Sequence, residues 1–446
     1  MVDLSVRGGT LVTEDGYQHA DVAIEAGRIV QIGDVVPRAH EEIDAAGLFV
    51  LPGVIDVHLH FNEPGRTEWE GGATGSRAVA AGGGTLFFDM PLNSTPCTVT
   101  AQAFDQKRRA LEASSITDFG LWGGLVPGHV DDMAALAARG VVGFKAFMCD
   151  SGLPEFPRAD DSTLFEGLRE ASRLGLPVAV HAENEEVTRE RTKVTDGGAR
   201  AFLESRPVVA ELEAIQRALL FAGETGAKLH LVHVSCGRGA AMAAEARSRG
   251  VDVSIETCPH YLFFTEEDVE RLGTVVKCAP PLRTQADQES LWAELMNGHI
   301  DMVASDHSPT DPTLKGADFR RAWGGIAGVQ STMAVLLNEG HHQRRLPLER
   351  IAKLLAAMPS RRFRIPGKGS LTVGRDADLL LLDADDRFTL EASDLHQRHK
   401  ITPYLGRSFQ GRVRRTIRRG ETIFIDGRIT AGTLGRFVRP VESNRV

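Results

Sequence analysis

Four histidines, a lysine and an aspartate stand where metal chemistry would use them. They are His58 and His60 in "VIDVHLHF", Lys145 in "VVGFKAFM", His181 in "LPVAVHAE", His233 in "KLHLVHVS" and Asp306 in "IDMVASDH". Each comes late in a short apolar run. Imidazole and carboxylate suit first-row divalent metals, zinc above all. Burying a lysine costs heavily unless it is paired or modified, and an ammonium cannot be a ligand. A lysine amine carboxylated by CO₂ could, because a carbamate is an anion able to bridge two ions about 3.5–4 Å apart.

Eight apolar runs carry or accompany these residues: 54–61, 84–91, 118–124, 141–148, 176–183, 228–235, 252–259 and 300–307. Amphipathic segments such as "STLFEGLREASRLG" and "VVAELEAIQRALLFAGETG" separate most of them, with apolar residues every three to four positions and a closing glycine. Strands alternating with helices predict an α/β fold, a (β/α)₈ TIM-like barrel over 51–366, with strands apolar on both faces. The ends, 1–50 and 367–446, read as short glycine-punctuated strands and predict one small β-sandwich domain built from both termini. A doubly wound open sheet is the alternative.

Barrel active sites lie at the C-terminal ends of the strands. Alternation of side chains puts His58 and His60 on one face. It sets His233 with Leu229 and Leu231, away from His230, and Asp306 with Met302 and Ala304, away from His307. All six candidates can then point into one mouth. His230, His260 and His307 read as structural histidines, and those in loops and helices as solvated.

The formal charge of −9 gives no basic face for nucleic acid. Five scattered cysteines without a CxxC pair argue for a reducing compartment. The start "MVDLSVRGG" does not read as a signal peptide, and no apolar run reaches the roughly 18 residues of a membrane span. A cytoplasmic enzyme acting on a small molecule, with no membrane partner, is expected.

"DVHLH", "GFKAFM", "VHAE", "HVS" and "ASDHSP", together with "GRDADLLLLD" at 374–383, resemble the amidohydrolase superfamily, and within it the cyclic amidohydrolases: dihydroorotases, hydantoinases and allantoinases. The resemblance spans nearly the whole chain. It implies that His58, His60, Lys145, His181, His233 and Asp306 bind two divalent ions, zinc foremost, with cobalt, manganese, iron or nickel as alternatives. It implies that Lys145 is N6-carboxylated and bridges them with a hydroxide. It also implies a homo-oligomer, a tetramer. Asp306 would take the hydroxide's proton as a ring amide is attacked and deliver it to the leaving nitrogen.

Dihydroorotases carry an Arg that grips the substrate carboxylate where this chain has Asn62, an amide that cannot offer a charged fork but can serve a neutral ureido group. Hydantoinases typically carry a Tyr five residues after the bridging Lys; here that position is Asp150. The stretches 60–71, 145–157, 256–264 and 277–283 are most similar to allantoinases, which open allantoin to allantoate in purine (ureide) catabolism. Thr310 departs from the Cys of many allantoinases, beyond the ligands. Asn62, Cys149, Asp150, Cys278 and Gly325 are candidate substrate contacts. The competing readings are a hydantoinase (dihydropyrimidinase), a dihydroorotase-like ring hydrolase, and a non-catalytic scaffold.

Overall fold

The apolar runs become a succession of parallel strands in the computed structural model, which describes residues 1–194 and 197–441. They are β1 (Val54–Leu59), β2 (Gly84–Asp89), β3 (Asp118–Leu121, continued at Gly123–Gly124), β4 (Phe144–Phe147), β5 (Val178–His181), β6 (Leu229–Leu231), β7 (Val253–Thr257) and β8 (Met302–Val303). Each pairs in parallel with the next. Past β8, His307 bridges in parallel to Leu59, and its carbonyl accepts from His60 N at 2.8 Å, so pairing returns to β1. Trp122 breaks β3; its indole is buried and donates to Val57 O at 2.9 Å.

The strands are apolar on both sides because both sides are covered. Val178, Val180, Leu229, Leu231, Val253 and Ile255 pack with helix residues such as Leu164, Leu168, Ile215 and Leu219. Ile55, Val57, Leu86, Phe88, Ala179, Val232, Met302 and Ala304 form a second, inner cluster with Trp122 and Phe363.

The helices follow their local signals. In Asp161–Leu174, Asp160 caps the start by accepting from Thr163 N at 2.8 Å, and Gly175 closes it with φ of 70°. Its buried stripe, Leu164, Gly167, Leu168 and Ala171, has helical spacing and faces the strands.

The two ends of the chain share one core. A four-stranded sheet is ordered Arg28–Gly33, Asp21–Glu25, Val2–Arg7, Ala39–Asp44. In a seven-stranded sheet Leu379–Thr389 lies antiparallel to Phe49–Pro52. Leu4, Val22, Ile24 and Ile43 pack with Leu379, Leu381 and Ile417 between the sheets. Lys368 ties this part to β3: its buried Nζ lies 2.7 Å from Asp118 and 2.6 Å from Asp378. The C-terminal tail does not stay with these sheets. Phe119 of β3 donates to Arg436 O at 3.0 Å, Val438 N donates back to Phe119 O at 2.8 Å, and Phe437 packs on Phe104 and Phe119. No helix among the described residues is long and apolar enough to cross a membrane.

Candidate active site

All six predicted ligands line one cavity of about 730 Å³ at the C-terminal ends of the parallel strands. Nε2 of His58 and Nε2 of His60 lie 3.2 and 3.4 Å from the same Oδ1 of Asp306. Nδ1 of His181 lies 3.1 Å from Nε2 of His233. Metal–nitrogen bonds of about 2.0–2.1 Å at tetrahedral angles separate neighbouring ligand atoms by about 3.3 Å. Both groups have that spacing.

In the same cavity Lys145 Nζ is buried without a hydrogen-bond partner, as are His60 Nδ1 and His233 Nδ1. Burial lowers the Lys145 amine to about 8. A buried ammonium without a counter-ion is costly, so the geometry and the donor set fit a site for two divalent ions.

The backbone bends to achieve this. His233 and Asp306 both have left-handed φ, 40° and 43°, a conformation non-glycine residues seldom take outside functional sites. For His233 this overturns the expected facing. Leu229 and Leu231 belong to the outer cluster, while His230 and Val232 face inward. His233 reaches the ligand group only because alternation breaks at its own backbone. In β1, Ile55 and Val57 lie in the inner cluster, and a register irregularity between Asp56 and Leu59 lets His58 point inward as well.

Carboxylates behind the histidines orient them, as outer-shell partners do in metal sites. Glu256 of β7 lies 2.8 Å from His58 Nδ1 and 3.1 Å from His230 Nε2, and accepts from His233 N at 3.1 Å. Burial pushes its carboxyl up, but His58 and His230 outweigh this and hold it at about 2. Glu183 lies 2.8 Å from His181 Nε2 and pairs with Arg206; against burial, Arg206 and His181 hold it at about 2. Burial likewise opposes Asp306, yet His58 and His60 keep it well below the usual carboxylate range.

Among the candidate substrate contacts, Asp150, Cys278 and Gly325 line the cavity, whereas Asn62 and Cys149 do not. Asn62 is fully buried with φ of 62°, and its Nδ2 donates to Pro309 O at 3.1 Å. The left-handed backbone turns the amide to the loop after β8. Cys149 packs behind His181, with Sγ within 4.8 Å of polar atoms of His181 and Glu183, and burial pushes its thiol up to about 12. Gly325 has φ of 146°, and a Cβ there would meet Ser308 O at 2.3 Å, so only glycine fits.

Two half-buried lysines hold the wall at Gly325. Lys315 Nζ donates to the carbonyls of Thr274 (3.2 Å), Trp323 (3.0 Å) and Gly325 (2.5 Å), and Lys277 Nζ to that of Ala322 (2.5 Å). Three further buried histidines, His230, His260 and His307, do not line the cavity. His230 is satisfied by Ser254 and Glu256, and His307 Nδ1 accepts from Gly328 N at 3.1 Å. His260, held near 4 by burial, is neutral.

Sequence reasoning missed Glu256, Glu183, Arg206, Glu185 and Asn93. The "HAE" tripeptide and the lone acid in the apolar run "DVSIETCP" were the available signals for Glu183 and Glu256. Arg206, Glu185 and Asn93 stand on loops or at a helix start, and only the folded chain puts them on the cavity wall.

Residues 49–423 match the profile described as the Amidohydrolase family. A protein named allantoinase from Solibacter usitatus is 61% identical, covering 99% of this chain and 97% of its own length. One of the same name from Deinococcus radiodurans is 54% identical, covering 98% and 99%. Among solved structures, an L-hydantoinase (dihydropyrimidinase) from Arthrobacter aurescens superposes with a TM-score of 0.96 at 35% identity, covering 98% of this chain and 100% of the other. Paired ligand groups on successive parallel strands and likeness over nearly its whole length lead to one conclusion: this chain belongs to the amidohydrolase family.

Proposed function

We propose that this chain is a hydrolase of cyclic amides that opens allantoin to allantoate. The observation that carries the chemistry is the convergence of two ligand groups, His58–His60–Asp306 and His181–His233, on a cavity holding an unpartnered buried lysine. The relatives named allantoinase support the choice of ring. The position at which dihydroorotases carry a carboxylate-gripping arginine is Asn62, which offers no cation.

We read the parallel strands as a (β/α)₈ barrel over 51–366, and the two terminal sheets as a sandwich domain drawn from 1–50 and 367–446, of which the tail at 436–438 crosses to β3 and 442–446 lie outside the described residues. The ions are zinc on this reading, Lys145 is carboxylated and shared by both ligand groups, and the enzyme is a homotetramer. The five cysteines, all free and buried, suit a cytoplasmic setting.

Two divalent ions, when bound, supply Lewis-acid polarisation of a ring carbonyl and a water acidic enough to attack near neutral pH. The chain does the rest. His58, His60, His181 and His233 would supply ring nitrogens to the ions, with the rings of His58 and His181 fixed by Glu256 and Glu183. Asp306, ionised at neutral pH, accepts the proton of the attacking water and passes it to the ring nitrogen as the C–N bond breaks. One water adds across the amide, giving a carboxylate and a ureido nitrogen.

The structural likeness to hydantoinases favours a second reading, a hydantoinase or dihydropyrimidinase. Ring opening of allantoin, hydantoin, dihydrouracil and dihydroorotate, measured side by side, separates the two. Allantoin is expected to have the highest kcat/KM; preferential turnover of dihydroorotate would overturn the reading of Asn62.

A further inference from the structure

We propose that Arg206 and Glu185 form a two-point clamp for a urea group carried on the ring, and so select cyclic ureides over unsubstituted hydantoins. This rests on the function proposed above and names what selects its substrate.

Both residues line the ligand cavity. Glu185 begins the helix Glu185–Val194 that follows β5. Its side chain is 12% exposed; Oε2 accepts from Asp150 N at 2.8 Å, and Oε1 lies 3.7 Å from Arg189. Arg206 stands between the helices Ala199–Ser205 and Val208–Thr225. One guanidinium nitrogen pairs with Glu183, and the side chain keeps 20% exposure at the cavity. Holding the ions requires nothing of Glu185, and of Arg206 only its bond to Glu183.

A urea has one carbonyl oxygen and two N–H groups that can point the same way. A guanidinium donates in a fixed fork, and a carboxylate accepts two parallel N–H bonds, each oxygen having room for more than one donor. A donor fork and an acceptor fork lining one cavity can therefore meet the two opposite ends of a urea held between them. A ring without the arm leaves the remaining hydrogen-bonding capacity of both unused, and sites built for hydrogen bonding discriminate strongly against analogues that lack the group.

The test uses metal-loaded enzyme and two compounds, allantoin and hydantoin, which lacks the arm. The readout is the ratio of their KM values, with the Ki of hydantoin as competitor where its turnover is too slow. Glu185→Gln and Arg206→Lys are each expected to raise the allantoin-to-hydantoin ratio about ten- to a hundredfold, the equivalent of a lost hydrogen bond to a charged group. Metal content, measured in parallel, shows whether Arg206→Lys acts through His181; if it loses metal, Glu185→Gln decides. A ratio within threefold of wild type in Glu185→Gln overturns the clamp. Wild-type enzyme that does not open allantoin overturns the proposed function itself, a separate result.

Discussion

Oε1 of Glu256 lies 2.8 Å from Nδ1 of His58, linking the far strand β7 to the first ligand on β1. The two residues are 198 positions apart in sequence, and both are buried. The same carboxylate reaches His230 and the backbone of His233, so one acid holds residues from both candidate ligand groups.

Glu256→Gln is therefore expected to weaken metal binding about ten- to a hundredfold, the usual effect of losing an outer-shell partner. Metal retained after dialysis against graded chelator checks this. Wild-type retention in the variant would mean that packing alone orients His58.

Lys145→Ala should abolish both metal retention and ring opening, because on the proposed reading it removes the group shared by both ligand sets. Small carboxylates such as acetate or propionate added with metal should restore part of the activity by filling the space. Metal retained at wild-type level, without rescue, would exclude a bridging role for this lysine.

Lys107 and Asp89 form a fully buried ion pair at 2.9 Å, and Asp89 also accepts from Phe61 N at 2.9 Å, next to His60. Lys107→Met leaves Asp89 buried without its counter-charge. The expected loss is about 3–5 kcal/mol of stability, seen as a lower urea midpoint. A loss below about 1 kcal/mol would show that the backbone donor alone sustains Asp89.

Lys315 titrates at about 7 instead of its ordinary 10.5, through burial and then the nearby Lys277. Between these values the unfolded chain binds more protons than the folded one, so raising the pH from 7 towards 10.5 favours folding. The rise in stability between pH 7 and 9.5, followed by urea unfolding, should be smaller in Lys315→Met than in wild type. Equal slopes would show that its three carbonyl acceptors keep the amine charged.

The ligands were legible because each is a polar residue ending an apolar run, and a parallel strand has only one end that faces chemistry. Their face was less so. Alternation holds for Asp306 with Met302 and Ala304, but at His233 it gives the wrong answer, because a left-handed φ cannot be read from spacing. Asn62 shows the same limit: its residue type suggested a ureido contact, and its backbone sends the amide to Pro309 instead.

By itself, the sequence determined the alternation of strands and helices, the six residues that meet in one cavity and the family, because periodicity and residue type are local properties. Tertiary structure alone decided what stands behind and around those ligands. Glu256 reaches His58 and His230, Glu183 pairs with Arg206, and Lys315 holds the carbonyls of Trp323 and Gly325 across contacts that no linear pattern marks. The physical reason is that a buried charge must find its partner in space, and the fold chooses that partner from any part of the chain.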